Sequence, residues 1–400
     1  MTKLERFRLD NLKSGKESFD CIIIGAGLAG LTAARYLKTA NLNTLIIESD
    51  SQLGGRVKST QIDGFTLDHG FQVINPTYDE IRRLDVLNML DFHSVSAGFY
   101  DISRHKEFSI RKILKADYGT VFEKFNFLKF LVSNPTNSVL NESIKNFPHF
   151  YENLLSPFFA GVFLTEPKQV ANAINQQVIK SFVASYIKGK LPGLPSGGVS
   201  RFSMELSKSA GPILLNEKVI KIDSNLQKIK TNSGSYSFKN LIVATDFNQA
   251  KRFYPKLPSI QFNPSATYYF SGPKISNKFL AVNGKNGLIN SGIISNFNPN
   301  YAPINRSLIS ASFNSEKSIP IKNLQSDLAK IWQVSSKELE FISVFKVTNS
   351  LPKFTKNILV SSNKVGPNIF LAGDYLAAPS QQGAMKSGRL AAAAVLARTI

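Results

Sequence analysis

The 400-residue chain has one cysteine, four histidines and one tryptophan. Its single thiol, Cys21, can form neither an internal disulfide nor a cysteine metal cluster, and it lies in an apolar run, "CIII", that reads as a buried strand. The histidines follow no HxxxH or comparable spacing, so no metal site is expected. "GVSRFSM" is not a GxSxG elbow, and no Ser-His-Asp hydrolase constellation emerges. Redox chemistry in such a chain needs a bound organic cofactor.

Long apolar runs are also missing. None reaches the roughly 18 to 20 residues that span a bilayer, and residues 1–18, read as an N-terminal extension, lack the apolar stretch of a signal peptide. A cytoplasmic location is expected. Acidic residues are scarce, 28 against 48 Lys and Arg, for a formal charge of +20. Such a surplus attracts polyanions. The positive residues are nevertheless spread along the whole length among abundant Asn, Ile and Ser, as in lysine-biased composition, so no nucleic-acid partner is expected. The densest patch, Arg111 to Leu131, interleaves Lys and Arg with Phe and Leu. Two readings stay open for it, an amphipathic helix packed on its own domain and a peripheral helix resting on an anionic membrane.

A hydrophobic content of 43% supports two domains with cores. "CIIIGAGLAGLTAARYL", Cys21 to Leu37, reads as a strand buried on both faces, a glycine turn and an apolar helix. Gly25, Gly27 and Gly30 make a GxGxxG. Gly25 permits the tight turn, Gly27 lets a pyrophosphate approach, and Gly30 lets the helix pack on the strand, with Leu28 and Ala29 at its phosphate-facing start. "NTLIIE" forms a second strand ending in Glu48, eighteen residues past the last glycine, where a carboxylate meets a ribose hydroxyl. The succession predicts a dinucleotide site. It does not separate NAD from FAD.

Gly54, Gly55 and Arg56 follow that strand directly. Paired glycines allow close backbone approach and an arginine pairs with a pyrophosphate, although a plain Gly-Gly turn with a surface arginine reads equally well. The far end of the chain breaks the tie. "NIFLAGDYLAAPSQQGAMKSGRLAAAAVL" gives a buried strand, Gly373-Asp374, a proline loop and a small-residue helix starting near Gln382. Asp374 suits a ribityl polyol. Gln382, Gly383 and Ala384 would offer free backbone N–H groups to an electron-rich ring edge.

Together with "GFTLDHGFQV" and "LAGDYLAAPSQQGAMKSG", these motifs resemble the FAD-dependent amine oxidase, phytoene desaturase and protoporphyrinogen oxidase superfamily, from about Asp20 to the end of the chain. The resemblance implies an α/β fold with FAD as cofactor. Its Rossmann-like FAD-binding domain would be assembled from residues 19–89, 197–250 and 356–400. An α+β substrate domain of antiparallel sheet plus helices would occupy 90–196 and 251–355. The residues agree, since "GPILLNEKVIKIDSN" and "KNLIVATDF" read as strands preceded by a helix near Gly198 to Ser209. The segment from about Leu90 to Ser196 reads as helical, and Lys251 to Thr355 as strand-rich around one helix. By the same resemblance Val219 lies near the adenine, though as a β-branched strand residue it also suits a core. Lys346 would sit near the flavin N5, against the alternative of a solvated strand lysine. His69 reads as a structural histidine.

There is no second GxGxxG between strand and helix, so the flavin would be reduced by the substrate itself. Three functions remain open. One is a desaturase or oxidase taking a hydride from a lipophilic substrate, with a cavity lined by Tyr268, Tyr269 and Phe270. The second is an amine oxidase acting on a C–N bond. The third is a non-enzymatic flavin-binding protein with a basic interaction surface.

Overall fold

A computed structural model describes residues 18–70, 72–95, 98–108, 118–134, 144–284, 287–315 and 317–398. Residues 1–17 of the expected extension and 111–117 of the basic stretch lie outside this range. The described chain divides into two units, each built from separated segments: 1–58, 202–259 and 358–400 form one, 59–201 and 260–357 the other.

The first unit is organised by an eight-stranded sheet. Its centre is strand Ser18–Ile24, in parallel register with Thr44–Ile47 on one side and with Ser235–Val243 on the other. Cys21, Ile22 and Ile23 are fully buried, which is why this strand is apolar on both faces. Ile213–Leu214 extends the parallel set beyond Thr44–Ile47, and Ile369–Leu371 joins it against Leu241–Val243. Val219–Asp223 and Lys228–Thr231 add an antiparallel edge. Helices Leu28–Thr39 and Gln381–Leu396 cross backbone to backbone. A Cβ on Gly388 would come within 2.1 Å of the Ala29 carbonyl oxygen, and the neighbouring Ala391 and Ala392 are fully buried. The alanine run is a packing surface.

The second unit carries a seven-stranded sheet. Phe262–Gly272 lies between Ser307–Phe313 and Glu340–Pro352, antiparallel to both. Leu288–Ile293 and Phe279–Val282 continue the antiparallel order, but Gly98–Asp101 then pairs parallel to Phe279–Val282. The sheet is therefore mixed, where an antiparallel one is expected. Phe92–Ser94, Gly98–Asp101 and Lys106–Phe108 are strands inside a stretch that reads as helical. At three or four residues each, they are too short to show a period. Helices Val121–Val132, Ser156–Phe163 and Asn172–Ile187 make up much of the rest of that stretch. Residues 59–89 cluster with this second unit instead of the first. The hairpin Ser59–Ile62 and Phe65–Asp68 is anchored there, because the Tyr269 hydroxyl donates to the Asp68 carbonyl at 2.8 Å. Helix Ser200–Ser207 is shorter than expected, since Gly197 and Gly198 at φ +81° and +95° cannot continue it backwards.

Candidate cofactor site

The site in the first unit is built from three backbone turns. Gly25 stands at φ +106° with its N–H on the Ile47 carbonyl at 2.8 Å, and a Cβ there would lie 2.6 Å from the Ala244 oxygen. A Cβ on Gly30 would lie 2.0 Å from the Gly25 oxygen. These two glycines serve the fold. Gly27 differs, because a Cβ there meets nothing within 4 Å, and its φ of −76° is open to any L-residue. The Gly27 position faces open space. It also N-caps helix Leu28–Thr39 and, as a glycine, offers no side-chain cap to the first-turn N–H groups.

Gly54-Gly55 lies directly on this turn. Gly27 and Gly54 form a parallel bridge, the Gly54 N–H reaches the Ala26 oxygen at 2.8 Å, and a Cβ on Gly55 would be 3.3 Å from the Gly27 Cα. A plain surface turn would not make that stack. Arg56 then meets the third motif, its Nη1 and Nη2 donating to the two oxygens of Asp374 at 2.9 and 2.7 Å. The Asp374 side chain is 4% exposed and that of Arg56 38%. Desolvation opposes the Arg56 charge, but Asp374, with Asp246 and Tyr375 adding to it, holds the guanidinium above its ordinary range.

Glu48 accepts from the Ala26 N–H at 2.8 Å and from the Asp50 N–H at 2.9 Å. The Ser49 hydroxyl adds a third bond at 3.3 Å, and a carboxylate with about four lone-pair sites still has acceptor room for a diol. Its backbone binds the returning chain, with the Glu217 N–H on the Glu48 oxygen at 2.8 Å, so the strand that begins at buried Val219 starts beside the Glu48 end of the sheet. Gly373 is held by its N–H on the Ser387 hydroxyl at 2.7 Å.

The start of the last helix departs from expectation. Helix Gln381–Leu396 begins one residue before Gln382, and the Gly383 N–H is not free, because the N-cap Ser380 hydroxyl takes it at 3.0 Å. The Ala384 N–H bonds the Ser380 carbonyl. Nor is Gly383 glycine for a ligand's sake, since a Cβ there would lie 2.1 Å from the Ala378 oxygen. "PSQQG" was legible as an N-cap signature, a serine at the cap with helix formers behind it.

In the second unit, Asp68 is the group that sequence reasoning missed. It is 3% exposed and accepts from the Ser59 hydroxyl at 2.6 Å, the Val199 N–H at 3.0 Å and the Tyr301 hydroxyl at 3.0 Å. Burial pushes its carboxyl up to about 6 against those bonds. Beside it His69 shares a hydrogen bond with the Thr60 hydroxyl at 2.8 Å and stacks on Phe345, ring centroids 4.1 Å apart. Lys346 follows Phe345 and so points to the other face of the strand, exposed, its Nζ on the Ser318 hydroxyl at 2.7 Å. It is not brought together with His69. Tyr268, Tyr269 and Phe270 are at most 2% exposed, and both phenols are bonded, Tyr269 to Asp68 and Tyr268 to the Ile319 N–H. They belong to the packed core and do not line an open cavity.

A mixed α/β fold with a glycine turn, a carboxylate at the second strand's end and an Arg–Asp pair is the setting in which the class is met, that of the flavin-dependent oxidoreductases. Residues 28–292 match the model of the flavin-containing amine oxidoreductases, and the chain belongs to that family. FAD is its cofactor, as expected, and the cradle that a Cβ on Gly27 would fill fits such a group. An L-amino acid dehydrogenase of Synechocystis is 29% identical over 62% of this chain and 61% of its own length. Protoporphyrinogen oxidase 2 of Arabidopsis thaliana is 23% identical over 60% of this chain and 56% of its own. The chain thus spans about 60% of the length of these curated relatives. A Pyrococcus furiosus crystal structure superposes with a TM-score of 0.74 at 17% identity, covering 95% of this chain and 98% of the other. Among the described residues, no helix is long and apolar enough to cross a membrane.

Proposed function

We propose that the chain is an FAD-dependent oxidoreductase that takes a hydride equivalent from an organic, lipophilic substrate, with a Rossmann-like first unit holding the cofactor and the second unit recognising the substrate. The observation that carries the reading is the bidentate Arg56–Asp374 pair, which ties the Gly-Gly-Arg turn to the Gly-Asp turn. When bound, FAD would supply a two-electron acceptor for one hydride, which carries both electrons, from a substrate C–H, while a second substrate proton leaves to solvent or a base. The protein's own part is positional. Gly27 and Gly55 bring backbone against a pyrophosphate, the helix from Leu28 directs its positive end there, and Glu48 takes a ribose diol. Val219 would flank the adenine. Lys346, exposed on the face away from Phe345, is left out of the chemistry.

The lipophilic substrate class is supported by the aromatic second unit, in which Phe158, Phe159 and Phe182 pack edge to face. A second reading, oxidation of an amine or amino acid, is favoured by the activity for which the Synechocystis relative is named. Anaerobic stopped-flow absorbance separates the two. Isoprenoid substrates in detergent should bleach the flavin in one fast phase, and NADH should do so slowly. Fast bleaching by amines or amino acids alone would replace the first reading with the second. Fast bleaching by NADH would refute reduction by the substrate.

A further inference from the structure

Helix Val121–Val132 is anchored on one side and bare on the other. The Thr120 hydroxyl accepts from the Glu123 N–H at 3.2 Å and Glu123 Oε2 accepts from the Thr120 N–H at 2.8 Å, a closed capping box. The other oxygen of Glu123 accepts from the His149 N–H at 2.8 Å, which fixes the helix start to the following helical segment. Phe127 and Phe130 pack on Phe147, with ring centroids 5.7 Å away in each case. The helix is held by this inward face.

Its outward face is apolar. Val121, Phe122, Phe125, Leu128 and Val132 are 83, 72, 63, 59 and 82% exposed. Their spacing of one, three, three and four residues places them on one stripe. Isolated exposed apolar residues are ordinary, but five along one helix are not.

We propose that this helix is a docking surface for an anionic lipid bilayer, lying in the interface with its Phe122–Phe125–Leu128 stripe among the acyl chains. Charge selects this occupant over a second copy of the chain. Two copies at +20 each repel, whereas a negatively charged leaflet attracts. On the helix itself Lys124 and Lys129 stand against the single acid Glu123, which is consumed by the capping box, and the sequence that precedes it carries Arg111, Lys112 and Lys115 against Asp117. Apolar burial plus basic flanks is the combination that holds an interfacial helix without spanning the membrane. The docking does not depend on the redox reading.

Co-sedimentation of the full chain with vesicles tests it. Wild type should pellet with vesicles of phosphatidylcholine containing 30% phosphatidylglycerol, bind pure phosphatidylcholine at least tenfold more weakly, and be released by 0.5 M NaCl. Phe122→Ser with Phe125→Ser should lose at least tenfold in partitioning while keeping the wild-type melting temperature and flavin content, since both side chains are exposed. Phe125→Trp should shift its emission to the blue on anionic vesicles, against the constant background of Trp332, which is 2% exposed. Failure of the wild type to bind anionic vesicles would overturn the proposal, as would unchanged binding by the double serine variant. So would a wild-type dimer in light scattering that the same variant dissolves.

Discussion

Gly27 and Gly30 are three residues apart in one motif, yet the structure gives alanine opposite effects at the two. At Gly30 the new methyl group would lie 2.0 Å from the Gly25 carbonyl oxygen, a backbone atom that cannot move without shifting the turn. Overpacking of this kind costs about 1–3 kcal/mol or more, so the cofactor-free Gly30→Ala protein should melt well below wild type. At Gly27 the methyl group meets no protein atom within 4 Å, and the backbone is already in the extended region at φ −76° and ψ 177°. Alanine there restricts the unfolded chain without straining the folded one, which is worth about 0.4–1 kcal/mol in favour of the fold. Cofactor-free Gly27→Ala should melt at or slightly above wild type. The same methyl group occupies the space a pyrophosphate would take, so FAD affinity should fall at least tenfold, about 1.4 kcal/mol. Thermal melts of protein stripped of flavin and calorimetric titration with FAD give both numbers. Equal destabilisation by the two alanines, or an unchanged Kd for Gly27→Ala, would refute the assignment of Gly27 to the ligand and Gly30 to the fold.

Two further outcomes follow from buried carboxylates. Asp68 has its carboxyl raised to about 6 in the folded protein. Between about pH 4 and 6 the folded state therefore holds a proton that the unfolded state has lost, and stability should fall as pH rises through that window, by about 3 kcal/mol. Asp68→Asn should flatten this slope in urea melts, and parallel pH curves for the two proteins would count against it. Arg56→Ala leaves the Asp374 carboxylate buried without its fork, at a cost of about 1–3 kcal/mol moderated by the partial exposure of Arg56. Arg56→Lys should recover only part of it. A cofactor-free Arg56→Ala protein that melts like wild type would show that the pair does not hold the two turns together.

Glycine spacing and apolar strands made the cradle legible from residue types alone. Gly25, Gly27 and Gly30, the acid at Glu48 and the strand Ile369–Leu371 were all readable, because each is a local requirement of a parallel strand–turn–helix unit. That Gly54-Gly55 stacks on Gly27 was not readable, since the bridge joins segments by space and not by pattern. Gly383 shows the opposite failure. A glycine at a helix start reads as an approach point for a ligand, but Ala378 packs against it and Ser380 caps it. Asp68 sat unnoticed in "TLDHGF" because a single acid after a strand carries no periodicity. Only the folded chain shows Ser59, Val199 and Tyr301 converging on it.

The central strand of the first unit takes one neighbour, Thr44–Ile47, from close by and the other from far along the chain. Ile22 lies opposite Leu241, and Leu241 in turn opposite Ile369, so the middle of this sheet closes only when segments more than 200 residues away in sequence arrive. Non-local pairing of this kind delays folding, because the loops must close before their contacts reward them. The Arg56–Asp374 pair spans 318 positions and forms at the end of that process. While the chain is being synthesised, the opening strand, turn and helix thus exist for most of that time without the sheet that buries them. On the proposed assignment, cofactor capture belongs to the last stage of assembly, and a chain cut before residue 369 would keep the GxGxxG sequence with neither strand Ile369–Leu371 nor the Asp374 carboxylate.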